Sequence, residues 1–99
     1  MAHNKIDGIV ETVRYSPDGL INMVRSYQRH GAVWSDHILL NRLELIQQLS
    51  DGKHYVTGVR KEYLGSVFET KLPINYINNR IITEGQVGLH DVLAGVPIF

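Results

Sequence analysis

Strand-forming residues crowd the start of the chain. From Lys5 to Tyr15, the residues Ile6, Ile9, Val10, Thr12, Val13 and Tyr15 favour extended backbone. Ser16-Pro17-Asp18-Gly19 comes next. Proline suits the second position of a type I turn, and glycine takes the left-handed conformation that closes a bulged hairpin. The chain then returns through a second strand-like run, Leu20 to Arg29. The pattern predicts that these two runs pair antiparallel.

His30-Gly31 interrupts the second run, and Ala32 to Leu40 forms a third, with Val33, Ile38 and Leu40 expected inward. At Asn41-Arg42-Leu43-Glu44 the period changes. Asn41 is a good helix cap, and Glu44 lies three residues on, where its carboxylate reaches back to the cap's amide. Leu45, Ile46 and Leu49 share one helical face, and Ser50-Asp51-Gly52 supplies a stop. These signals predict a short helix over Arg42 to Ser50. A competing reading starts the helix at Ser35 or Asp36 and absorbs the third strand.

Beyond the helix, Lys53 to Arg60 alternates, with Tyr55, Thr57 and Val59 on one face and His54, Val56 and Arg60 on the other. Gly58 marks a bulge. Lys61 to Gly65 reads as a turn and Ser66 to Leu72 as a strand, and Pro73 restricts the next segment to a strand start or an edge. Ile74 to Ile77 and Arg80 to Thr83 flank Asn78-Asn79, a pair that tolerates a two-residue hairpin turn.

The order β-β-β-α-β-β-β-β predicts a mainly β domain with one short helix (α+β), built as a small curved sheet or partly open barrel. The first six elements resemble the OB-fold in order alone, without a family motif. An SH3-like barrel, or an open sheet with a helix on one face, fits the same string. With 99 residues and no repeat or linker, residues 1–99 read as a single domain, in which 84–99 form an apolar C-terminal tail.

Composition then narrows the function. Ten basic residues balance ten acidic ones, which argues against a polyelectrolyte. There is no cysteine, which excludes thiolate catalysis, disulfides and thiolate metal sites and suits a reducing cytoplasm. No apolar stretch suits a signal peptide or a membrane span, so the expectation is a cytoplasmic protein with no membrane contact.

No motif names a reaction. Ser35-Asp36-His37 resembles a hydrolase triad only in composition, because consecutive strand residues point to opposite faces and cannot bond in series. His3, His30, His37, His54 and His90 show no metal-ligand spacing, and no phosphate-binding glycine loop occurs. The expectation is therefore no catalytic residue, no metal, no cofactor and, on balance, no enzyme.

Two features remain. Arg25, Tyr27 and Arg29 share a face of the second strand, Arg14-Tyr15 lies across the hairpin, and Arg60-Lys61 with Tyr63 ends the strand after the helix. From Arg14 to Lys61, seven basic residues face four acidic ones, a local charge of +3. Arginine and tyrosine on such a face hold phosphates and stack bases, while a solvated sheet face looks the same in sequence. Arg14, Tyr15, Arg25, Tyr27, Arg29, Arg60 and Lys61 are the candidate nucleic-acid or partner face. Trp34 is assigned to the core or an interface.

The second feature is Val96-Pro97-Ile98-Phe99, an apolar segment that docks on its own sheet or on a partner subunit. The expected function is a small non-enzymatic interaction module that self-associates and binds a protein partner. The alternatives are RNA or single-stranded DNA binding through the Arg/Tyr face, and a small ligand-binding barrel or enzyme with a pocket near His54, Tyr55 and Arg60.

Overall fold

The computed structural model describes residues 6–31, 33–61, 68–83, 88 and 90–99. Lys5, Ala32, the turn at 62–65 with Tyr63, the start of the following strand at 66–67, and residues 84–87 and 89 of the tail lie outside them. The elements are β1 (Gly8–Tyr15), β2 (Ile21–His30), β3 (Val33–Trp34), β4 (Ile38–Asn41), α1 (Arg42–Ser50), β5 (Tyr55–Arg60), β6 (Phe68–Pro73), β7 (Asn75–Ile77) and β8 (Arg80–Ile82). The fold is mainly β with one short helix, and its six-stranded sheet is open.

β1 and β2 form the expected hairpin, with register shifts at Val10/Thr12 and Arg14/Tyr15. Its turn is tied by the Gly19 amide to the Ser16 carbonyl at 2.9 Å, with Gly19 at φ +83°. The sheet runs β3-β2-β1-β5-β6, and β4 also pairs with β2. β1 and β5 are parallel, whereas the other pairs are antiparallel. β6 is an edge strand, as Pro73 requires, and its exposed Glu69 and Lys71 protect that edge.

The third run is two strands rather than one. β4 lies against Met23 to Ser26, and β3 against Arg29 and His30. Ser35, Asp36 and His37 fill the break. There the Ser35 Oγ accepts the Gln28 amide at 3.0 Å and donates to the Asp36 carbonyl at 2.7 Å. The helix does not begin here. It begins at Arg42, where Asn41 accepts the Glu44 amide and Glu44 accepts the Asn41 amide.

One face of the sheet carries the core. Val10, Val13, Val24, Leu40 and Tyr55 pack with Leu45 of α1 and with Ile74, Ile81 and Leu93. β7 and β8 form a separate hairpin whose turn residues, Asn78 and Asn79, take φ of 50° and 63°. Both are left-handed, as a tight hairpin turn demands. Residues 91–94 run along β8: the Thr83 amide donates to the Val92 carbonyl at 3.0 Å, and the Ala94 amide to the Thr83 Oγ1 at 3.0 Å.

The chain is locked together at Asp91. Its buried carboxylate accepts the amides of Ile21 and Ile81, each at 2.8 Å, and takes two bonds from Arg42, at 2.7 and 3.2 Å. Arg42 also donates to the Asn79 carbonyl at 2.6 Å. One side-chain pair thus joins the helix start, the start of β2, β8 and the β7–β8 turn.

Ser26 is the opposite case. It is fully buried beside Val10, and its Oγ has no hydrogen-bond partner among the described residues. A buried hydroxyl without a partner costs free energy. Ser26→Ala is therefore expected to stabilise by about 1 kcal/mol, raising Tm by roughly 4–8 °C for a domain of this size. A thermal melt checks this, and a lower Tm would refute it.

Candidate functional site

Strand alternation sends Met23, Arg25, Tyr27 and Arg29 to the face of β2 opposite the core. Their β1 neighbours on that face include Ile9, Thr12 and Arg14, and Leu39 lies beside Arg25 on β4. The helix packs on the other face, so this face is helix-free. Arginine and aromatic side chains gather on it in two groups.

The first group forms around Phe99. β1 pairs with β5 only from Gly8 to Val10, which leaves the edge of β1 free further along. Residues 97–99 take that edge: the Val13 amide donates to the Pro97 carbonyl at 2.9 Å, and the Phe99 amide to the Val13 carbonyl at 3.0 Å. Phe99 thereby reaches the helix-free face. The guanidinium carbons of Arg14 and Arg25 lie 4.8 and 5.1 Å from its ring centroid. Arg14 also donates to the Phe99 carbonyl at 3.4 Å. Neither Arg14 nor Arg25 forms an ion pair with an Asp or Glu side chain of the described residues.

The second group is a chain of rings. His37 meets Tyr27 at 5.6 Å between centroids, Tyr27 meets Phe68 at 4.9 Å, and Phe68 meets Trp34 at 4.9 Å. Tyr27 is on β2 and Phe68 on β6, three places apart in the sheet. Strands spaced about 4.8 Å apart would separate the two by roughly 14 Å if the sheet were flat. Ring contact therefore means that the sheet curls toward this face. Burial raises the pKa of the Tyr27 hydroxyl, as does the charge of Glu11, against the opposing influence of Arg60.

The face does not unite every expected residue. Arg14 and Arg25 meet over Phe99, whereas Tyr27 is buried rather than exposed, with Arg60 and Glu11 beside it. Tyr15, adjacent to Arg14, points the other way, packs on the core and accepts the Leu93 amide at 3.0 Å. Arg29 turns back to the Gly31 carbonyl at 2.8 Å, and Lys61 is exposed just past β5. Val96 packs against the core, while Pro97 and Ile98 are exposed beside β1. Trp34, His37 and Phe68 were not among the expected site residues. No spacing rule points to them, because their contacts come from the curl of the sheet.

Three open depressions lie at the other end of β5. One of about 360 Å³ is lined by Ile6, His54, Tyr55, Val56, Pro73 and Ile74 among others, and one of about 520 Å³ shares His54 and Ile74. A third, of about 220 Å³, includes Asp7, Arg29, Lys53 and Tyr55. Arg60 lines none of them. The Tyr55 hydroxyl, raised in pKa chiefly by burial, accepts from Gln28 at 3.2 Å, and the Asp7 carboxylate accepts the His54 backbone amide at 2.9 Å. These are structural bonds. Among the described residues, no group of His, Cys, Asp and Glu could hold a metal ion, and no helix is long and apolar enough to cross a membrane. No family model, curated protein or solved structure matches the chain.

Proposed function

We propose that the protein is a non-enzymatic interaction module whose working surface is the helix-free face of its sheet. The observation that carries this reading is the placement of Arg14 and Arg25 over Phe99, without an Asp or Glu ion-pair partner among the described residues and beside a chain of four aromatic rings. Guanidiniums next to aromatic side chains are the composition of a recognition surface, since both are enriched where binding energy concentrates. Residues 97–99 pair with β1 of the same chain, so they supply no argument for a second copy. The cysteine-free sequence supports a reducing, cytoplasmic setting.

The test is capture from an extract of the source cells, with and without nuclease treatment. The wild-type protein is expected to retain discrete material, protein or nucleic acid. The charge reversal Arg14→Glu/Arg25→Glu loses it, whereas Lys71→Glu, on the edge strand, keeps it. Retention indifferent to the double reversal would remove this face as the working surface.

A further inference from the structure

We infer that the occupant of the helix-free face is single-stranded nucleic acid; this rests on the reading of that face as the working surface. Charge is the first ground. Arg14 and Arg25 converge on one ring, and neither forms an ion pair with an Asp or Glu side chain of the described residues. The neutral total of the chain hides this in part, because four of its ten acidic residues are held elsewhere in the fold. Asp91 pairs with Arg42, Glu44 caps α1, Asp18 holds the first turn through the Leu20 amide, and Asp7 holds the His54 amide. Glu11 stays beside Tyr27, where Arg60 opposes it, so the arginines among these side chains outnumber the carboxylates, and that excess complements a polyanion.

The aromatic chain is the second ground. Arg25 and Tyr27 are successive same-face residues of β2, about 6.8 Å apart along the strand. A phosphate held by Arg14 and Arg25 is therefore one strand step from the His37–Tyr27–Phe68–Trp34 rings. Tyr27 is buried, at 4% exposure, so the ring surface open to a base is that of His37, which is exposed, and part of that of Trp34, which is half-buried. Bases stack on such rings whatever their sequence. A duplex is disfavoured by shape. Its grooves are read by a projecting helix or ribbon, and this face curls inward.

The experiment is fluorescence anisotropy on the full chain with short mixed-sequence single-stranded RNA and DNA, their duplexes and a Glu-rich peptide. The expected result is single-strand binding that weakens with salt, with a log–log slope of about −1.4 for two phosphate contacts. Arg14→Ala/Arg25→Ala removes most of that slope and costs about tenfold or more in affinity. His37→Ala costs about tenfold through lost stacking and leaves the slope unchanged. His37 is exposed, so this variant reports even if the double variant misfolds. Lys71→Ala binds like the wild type. No single-strand binding at low salt, or equal binding of duplex, overturns the inference. Peptide binding that depends on Arg14 and Arg25 also overturns it but leaves the face as the working surface. If extract capture is indifferent to the face as well, both readings fall.

Discussion

Replacing Asp91 with alanine is expected to cost about 3–5 kcal/mol of unfolding free energy at neutral pH, the usual penalty for removing one partner of a buried ion pair. The Asp91 side chain is fully buried and that of Arg42 is 21% exposed. The guanidinium can therefore recover some water, but the amides of Ile21 and Ile81 cannot, and each loses its acceptor. A buried amide without a partner costs about 1–3 kcal/mol. Those two amides and Arg42 belong to three separate elements, so the loss loosens the join between β2, β8 and α1.

The same carboxylate makes stability depend on pH, and the sign follows from its surroundings. Burial alone would push the Asp91 carboxyl up. The Arg42 guanidinium and the two amides outweigh it and hold the group below the ordinary aspartate value of 3.8. A carboxyl lowered in the folded state contributes fully above its unfolded value, and that contribution drains away as pH falls through the folded one. Urea titrations at pH 7 and near pH 3 check this. Asp91→Asn should be much weaker than the wild type at pH 7, and the gap should narrow in acid. A variant within about 1 kcal/mol of the wild type at pH 7, or a gap of equal size at both pH values, would contradict the account.

Asp91 also shows where sequence reading stops. By pattern it is one of ten acidic residues, in a stretch whose neighbours suggest an apolar tail, and solubility is the natural reading. Its partners lie 70, 49 and 10 residues away. No local period encodes them. What was legible is local: the β1–β2 hairpin from its turn, α1 from the reciprocal Asn41–Glu44 cap, and the β7–β8 turn from Asn78-Asn79. Each is specified by residues within a few positions of one another. The parallel pairing of β1 with β5 is not, because it needs a crossover through β2, β4 and α1.

The site divides the same way. Arg25, Tyr27 and Arg14 were legible, since alternation on a hairpin fixes which side chains share a face. The same rule, applied strictly, separates Tyr15 from Arg14. Phe99 joins the arginines only because β5 leaves β1 beyond Val10 and frees an edge for residues 97–99. Trp34 and Phe68 meet only because the sheet curls. Both effects belong to the sheet as a whole and appear in no single strand.

Gly58 tests whether one residue of β5 links that geometry to stability. The register of β5 on β6 shifts between Val56 and Gly58, where the Thr57 Oγ1 accepts the Leu72 amide at 3.1 Å. A Cβ on Gly58 would lie 2.5 Å from the Glu69 carbonyl oxygen and 3.2 Å from the Ile9 Cγ2. The first is backbone and the second belongs to a buried side chain, so neither yields cheaply. Gly58→Ala is expected to cost about 1–3 kcal/mol, as overpacking does, and to lower Tm by several degrees. Relief requires β6 to move away from β5, and β6 carries Phe68, whose ring lies against Tyr27 and Trp34. Trp34 is the sole tryptophan, so its fluorescence should shift to longer wavelength as Phe68 withdraws and water enters. Gly88→Ala is the control, since a Cβ there meets nothing within 4 Å and the backbone is not left-handed. If Gly58→Ala melts like the wild type with unchanged emission, Gly58 does not hold β6 in place. If Tm falls but Trp34 emission does not move, the Trp34–Phe68 contact is held by something other than the packing of β6 on β5.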